Sequence, residues 1–253
     1  FNTHQKLRMS VNISGINSFS AAQQVKVVIL QNNRWDNAQR DIPPTFVRGN
    51  VLEYNTENNA IFAAGKEWRW LDLRSFRLQS DRVDSAAYHK NATDMYVKTD
   101  IDRNGQRYLY FPDYNGMFNI ISYESMNPFW QGDYATVHFS LSTVDGNPYP
   151  KRNVYLAGHF TGYELSDTWK MKFNTETGRY ETATMMKQGY YNYTYLCTDV
   201  DNPKKMTDLE GNYWETENSY TILVYYKSFT DRSDQLIGVG SINPRNDRPG
   251  FSF

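Results

Sequence analysis

The chain has 253 residues, 27 basic against 28 acidic side chains, a net charge of -1, and is 40% hydrophobic and 16% aromatic. That composition excludes long disordered regions, which need low hydrophobicity and high charge. It also argues against nucleic acid as the main partner, which would favour a basic face. The length suits two domains of ordinary size.

Period-2 alternation of apolar and polar residues dominates and predicts strands. In chain order these are Leu7–Ile13, Gln24–Leu30, Val51–Tyr54, Glu67–Leu73, Met95–Thr99, Arg107–Phe111 and Met117–Tyr123. The stretch ESMNPFWQGD at 124–133, with Pro128 and Gly132, reads as a linker. A second set follows: Tyr134–Leu141, Asn153–Ala157, Trp169–Phe173, Arg179–Met186, Tyr190–Thr198, Tyr220–Ser228 and Gln235–Ile242. The turns RNGQ, YNGM and ETGR carry hairpin chemistry. No window shows a helical stripe. The expected fold is all-β: two tandem immunoglobulin-like, early-set β-sandwiches of about seven strands each, covering 1–125 and 126–253.

The halves also read as a repeat. VKVVILQNNRWDNA and then VLEYNTENNAIFAAGKEWRWLDL parallel RNVYLAGHFTGYEL and then YETATMMKQGYYNYTYL. Each has an apolar strand, an aromatic-bearing turn, a polar strand pair, and a glycine opening an aromatic strand. Matching Gly65 to Gly189 predicts a tandem duplication.

Motifs for chemistry are sparse. The lone Cys197 sits in an alternating run, where a small buried hydrophobe is expected. DIDRNG at 100–105 opens like a calcium loop, but Phe111 stands where the bidentate Glu belongs, so a hairpin turn is expected. His4, His89, His138 and His159 are scattered without ligand spacing, and no serine nucleophile elbow occurs. The expectation is a non-enzyme with no cofactor and no metal. NIS, NAT and NYT (from Asn12, Asn91 and Asn192) match N-glycosylation acceptors, and Asp84-Ser85-Ala86 matches an O-glycosylation acceptor of Bacteroidota, in a stretch read as a loop. No run approaches 18 apolar residues, so no transmembrane segment is expected. The opening FNTHQKLRMSVNIS already reads as a strand approach, so a mature fragment is expected, with export information outside it.

Two resemblances extend this reading. Residues 134–228 resemble glycogen- and starch-binding modules of the early-set immunoglobulin-like class, through a strand, the turn GHFTGY, a glycine and an aromatic strand. Tyr163 stands where those modules place a sugar-stacking Trp, and Thr194 where they often carry a sugar-contacting Lys. The resemblance implies carbohydrate binding as an alternative function.

The segments QQVKVVILQNNRWDNAQRDIPPTFVRGN, AAGKEWRWLDLRSFRLQSDRV, KQGYYNYTYL, EGNYWETENSYTILVYYKSF and DRSDQLIGV resemble the plug protein family of the Bacteroidota type IX secretion system, formerly a domain of unknown function. That resemblance implies an exported, periplasmic protein associated with the outer membrane. It implies a further N-terminal domain outside these residues. It also implies a translocon barrel as partner, closed at its periplasmic end by non-catalytic binding. Trp35, Tyr163 and Trp214, each in a loop-like stretch, are the candidate partner-binding anchors.

Overall fold

A computed structural model describes residues 2–16, 20–55, 60–203 and 206–245. Among these the strands are β1 His4–Lys6, β2 Met9–Asn12, β3 Val25–Gln31, β4 Phe46–Arg48, β5 Val51–Tyr54, β6 Ile61–Ala63, β7 Arg69–Asp72, β8 Val83–Tyr88, β9 Thr93–Val97, β10 Asp100–Ile101, β11 Phe118–Asn119, β12 Tyr134–Ser142, β13 Arg152–Ala157, β14 Lys170–Asn174, β15 Arg179–Lys187, β16 Tyr190–Asp199, β17 Met206–Asp208, β18 Tyr220–Tyr226 and β19 Gln235–Ile242. Two single-turn helices, α1 Ala21–Gln24 and α2 Pro128–Gln131, and a 3-10 turn at His159–Thr161 complete them. The protein is nearly all β, as the alternation predicts.

The chain divides into two compact units, but not at 125/126. Unit 1 is discontinuous, Phe1–Gly65 with Asn212–Phe253, and unit 2 is Lys66–Gly211. The expected boundary fails because strand pairing crosses it. Thr93–Val97 of β9 runs parallel to β12, with Thr136 opposite Asp94, and β7 and β11 both pair with β16. The duplication fails for the same reason. The aromatic strand after Gly65 and the one after Gly189 are direct antiparallel neighbours, Trp70 opposite Asn192 and Leu71 opposite Tyr191. They are two strands of one sheet rather than equivalents in two domains.

Unit 1 holds three small sheets, ordered β1-β6, β19-β18-β3 and β2-β5-β4. Its core is built on β3, VKVVILQ, where all side chains but Lys26 are buried. Val27, Ile29, Leu52, Tyr54, Phe62 and Tyr220 pack together there.

Unit 2 is a sandwich. One layer runs β8-β9-β12-β15, and β14 passes between layers. Residues 172–174 of β14 pair with β15, while Met171 and Lys170 pair with Val154 and Tyr155 of β13. In the other layer β16 has partners along its whole length: β7, β11, β13 and β17. Being central, it is buried at eight consecutive positions, Tyr191–Thr198, which is why YNYTYLCT has no solvent-facing side. Val137, Phe139 and Leu141 of β12 meet Val154, Leu156, Tyr193 and Cys197 across the core. Cys197 is the small buried hydrophobe the alternation suggests.

Buried charge crosses one end of this core. Arg69 Nη1 donates to Asp100 Oδ1 (2.7 Å), and its Nε donates to Glu210 Oε1 (2.8 Å). Arg82 also donates to Asp100, and Arg103 to Glu210. The Tyr193 and Tyr195 hydroxyls donate to Asp100 Oδ2 at 2.7 and 2.8 Å. Asp100 is therefore the hub of an ion network, not the first ligand of a calcium loop. RNGQ does turn at Gly105, with φ +79°, but leads into irregular chain rather than a second strand.

Burial opposes ionisation of Asp100 and Glu210, yet the facing guanidiniums prevail and hold both below the usual carboxylate range. Burial, then the Asp100 charge, pushes the Tyr193 and Tyr195 phenols well up. The folded state thus binds fewer acidic protons than the unfolded chain near pH 4. Near pH 10 and above it keeps phenolic protons that the unfolded chain releases. The carboxylate contribution is present above about pH 4 and lost as pH falls through the folded values; the tyrosine contribution is lost as pH rises beyond about 10. Melting temperature should stay level between about pH 5 and 9 and fall on both sides. Complete, reversible phenolate formation near pH 10 with unchanged near-ultraviolet dichroism would contradict this.

Candidate functional site

The three candidate anchors fare differently. Trp35 is half exposed on a loop of unit 1, with the Arg40 guanidinium 4.9 Å from its ring centroid. Trp214, also in unit 1, is similarly exposed; its backbone N–H donates to Asn2 O and its carbonyl accepts from Gln5 Nε2 (2.7 Å). Tyr163 is buried, so the expectation of an exposed anchor does not hold there. Its ring packs edge-on to Trp68 (6.2 Å) and His159 (5.8 Å), with Ala157 and Leu196 in the same cluster. The cause is local. The turn GHFTGY curls into a 3-10 turn, Thr161 Oγ1 accepts from Tyr163 N, and Tyr163 takes φ 57°, folding its ring inward. Thr194 is buried as well, donating to Glu210 (3.3 Å). Neither residue can meet a sugar at this turn. Asn192 of NYT is fully buried, while Ser85 is exposed on strand β8 rather than in a loop.

The strongest surface feature lies in the stretch read as a linker. Residues 123–134 belong wholly to unit 2 and expose Tyr123, Met126, Phe129, Trp130 and Tyr134, with Trp130 86% and Phe129 68% accessible. Five large apolar side chains in twelve residues exceed the scattered singles of an ordinary surface.

This stretch is held firmly from beneath. Buried Gln188 accepts from Ser122 Oγ (3.1 Å) and Asp133 N (3.0 Å) and donates to Glu124 Oε2 (2.6 Å). Ser75 donates to the other Glu124 oxygen. Lys187 Nζ donates to Phe129 O (2.9 Å) and lies 4.7 Å from the Tyr134 ring centroid. Pro128 starts helix α2, and the Gly132 N–H closes it on Pro128 O. A Cβ on Gly132 would stand 2.5 Å from that oxygen, so glycine is required there. Glu124, Asp133 and the helix backbone are tied down from beneath, and the aromatics of the turn are left to face outward.

An aromatic and cationic ladder adjoins it. Arg74 lies 4.6 Å from the Tyr123 ring and 5.7 Å from Tyr190, and Tyr190 stacks on Trp70 at an interplanar angle of 5°. A hydrogen bond to Asp72 raises the Arg74 pKa further, so the guanidinium stays charged. Burial, then neighbouring Tyr114 and Asp72, pushes Tyr190 up to about 12. The arrangement presents stacked aromatic faces beside one fixed cation. Sequence reasoning missed the turn by weighing its Pro and Gly above its apolar content, and four large apolar residues between Met126 and Tyr134 were the available signal.

No family model matches the chain, and no curated protein matches it. The chain is similar to a hypothetical protein from Parabacteroides merdae ATCC 43184, known from a crystal structure at 2.30 Å resolution, with a TM-score of 0.89 and 33% identity. The match covers 96% of this chain and 60% of that protein, so the chain spans less than two thirds of its neighbour's length.

Proposed function

We propose that the protein is a non-catalytic periplasmic interaction protein that closes the periplasmic end of a type IX outer-membrane translocon barrel, with the turn at 123–134 as its docking element. The observation that carries the reading is the exposed Phe129–Trp130 pair on a turn fixed by the Gln188 network. Rigid aromatic anchors lose little entropy on binding and supply most of the energy of a protein interface. The resemblance of segments in both units to the plug family supplies the partner. The finer architecture belongs to the same proposal: an immunoglobulin-like, early-set sandwich for the strand run β12 to β16. It is supported by β12 pairing with β15, β13 with β16, and β14 passing between them.

The glucan-binding alternative at GHFTGY is not carried forward, because Tyr163 is buried. Trp130→Ala should cost about 2 kcal/mol of partner binding, roughly 30-fold in affinity, while leaving the melting temperature unchanged. The check is recovery of a barrel protein from detergent-solubilised envelopes by wild type and variant. Deleting the gene should also raise outer-membrane permeability to large antibiotics only where the translocon is present. Recovery of no barrel, with unchanged permeability, would sink the plug reading.

A further inference from the structure

We propose that unit 2 carries a saccharide-binding groove on the outer face of the layer formed by β9, β12, β15 and β14, over Ala183. This site is separate from the docking turn and does not rest on the plug reading.

Strand register builds the groove. Tyr96, His138 and Ala183 stand side by side on three adjacent strands, His138 pairing with Tyr96 on one side and Ala183 on the other. The two rings stack with centroids 4.3 Å apart and planes 12° apart, and His138 Nε2 is tied to Asp94 Oδ1 at 2.7 Å. Beside this double ring the sheet drops to a single methyl group, leaving a groove of about 540 Å³. That volume falls within the roughly 300–1,000 Å³ of small-ligand sites.

The polar lining is partly preorganised and partly open. Arg179 Nη1 and Ser140 Oγ both donate to Thr99 Oγ1 at 3.0 Å, and Glu181 accepts from Asn174 (3.1 Å) and Thr177 (2.8 Å). The Lys172 ammonium, the Asp84 carboxylate and the Tyr96 hydroxyl line the same groove, and none of them forms a hydrogen bond or ion pair among the described residues.

The chemistry selects the ligand class. Lys172 and Arg179 balance Asp84 and Glu181, so the lining is formally neutral and does not favour a phosphate or a polycation. A stacked aromatic wall suits an apolar ring face, and donors and acceptors on both sides suit a ring edge bearing hydroxyls. A neutral pyranose chain offers both. An aliphatic ligand would leave the charged groups desolvated without partners.

The test is calorimetric and NMR titration of the full chain with maltotetraose, cellotetraose, xylotetraose and mannotetraose. At least one should bind saturably, shifting the resonances of Ala183 and His138. His138→Ala, which removes the ring standing next to Ala183, and the groove-filling Ala183→Trp should each weaken it by at least about tenfold. Both positions face outward, so melting temperatures should match wild type; Lys172→Ala serves as a third variant if either fails to fold. Absence of saturable binding to all four sugars at millimolar concentration overturns the proposal, as does binding that survives Ala183→Trp.

Discussion

Asp100→Ala should destabilise unit 2 by about 3–5 kcal/mol. The substitution removes one carboxylate that accepts from four donors, of which Arg82 keeps the Tyr193 hydroxyl and Arg69 keeps Glu210. Arg69 and Arg82 lose their shared anion, and the Tyr193 and Tyr195 hydroxyls lose their acceptor. Arg69 is 7% exposed at its side chain and cannot turn to water. Desolvation that the ion pair offsets in the wild type then stands in part uncompensated, alongside two unsatisfied phenols. Asp100→Asn keeps the shape and an acceptor but not the charge, and should fall between. Urea unfolding followed by tryptophan fluorescence gives the midpoints. Because unit 1 does not contain this network, a resolved two-step transition should shift only in the unit 2 step. A loss below about 1 kcal/mol would mean that the network contributes less than its burial implies.

Phe139→Ala should cost a comparable amount, about 3–5 kcal/mol, by a different mechanism. Phe139 is 1% exposed at the middle of β12 and meets the Tyr193 ring edge-on at 5.2 Å. Its neighbours Val137 and Leu141 are held in a ladder of nine register pairs with β15, so the backbone cannot close the void. The edge-to-face contact is lost in addition to transferred area. Val144→Ala, at an 87% exposed position just past the same strand, should change stability by no more than about 0.5 kcal/mol. The two variants differ in depth, so comparable losses from both would point to a loosely packed core. A matched pair of thermal and urea unfolding curves decides this.

Many strands were legible in this sequence from alternation and flanking turn residues, whether the strand is exposed or buried. Val51–Tyr54 and Gln235–Ile242 appear with the expected limits, and Tyr134–Leu141 and Tyr190–Thr198 extend by one residue each. Arg107–Phe111 alternates equally well but forms no ladder, since alternation reports a half-buried extended chain and not a partner strand. Pairing itself was not legible. Nothing local in EWRWLDL says that it lies against YYNYTY, more than a hundred positions away. Repeat-like texture arose because neighbouring strands of one aromatic-rich sheet face similar surroundings. The exposed turn was hidden by its punctuation: Pro128 and Gly132 open and close a four-residue helix rather than mark a domain boundary. Tyr163 was misplaced because its left-handed backbone is not written in residue type. The groove over Ala183 depends on that residue falling opposite His138, which only register reveals.

The interruption of unit 1 by unit 2 bears on how the chain is made. Strand β3 emerges before unit 2, but its hydrogen-bonding partner β18 emerges only after all of it. Until then VKVVILQ is an apolar strand with an open edge, the kind of segment that associates wrongly. Unit 2 has no such delay, since its residues are contiguous. Once folded, it replaces a long floppy tether, worth roughly 4 kcal/mol of closure entropy, by a fixed span. The ends of that span join Gly65 and Asn212, themselves linked by a 2.8 Å hydrogen bond. Unit 1 is therefore complete only when the chain has been made through β18, whereas the residues of unit 2 are all present by Gly211.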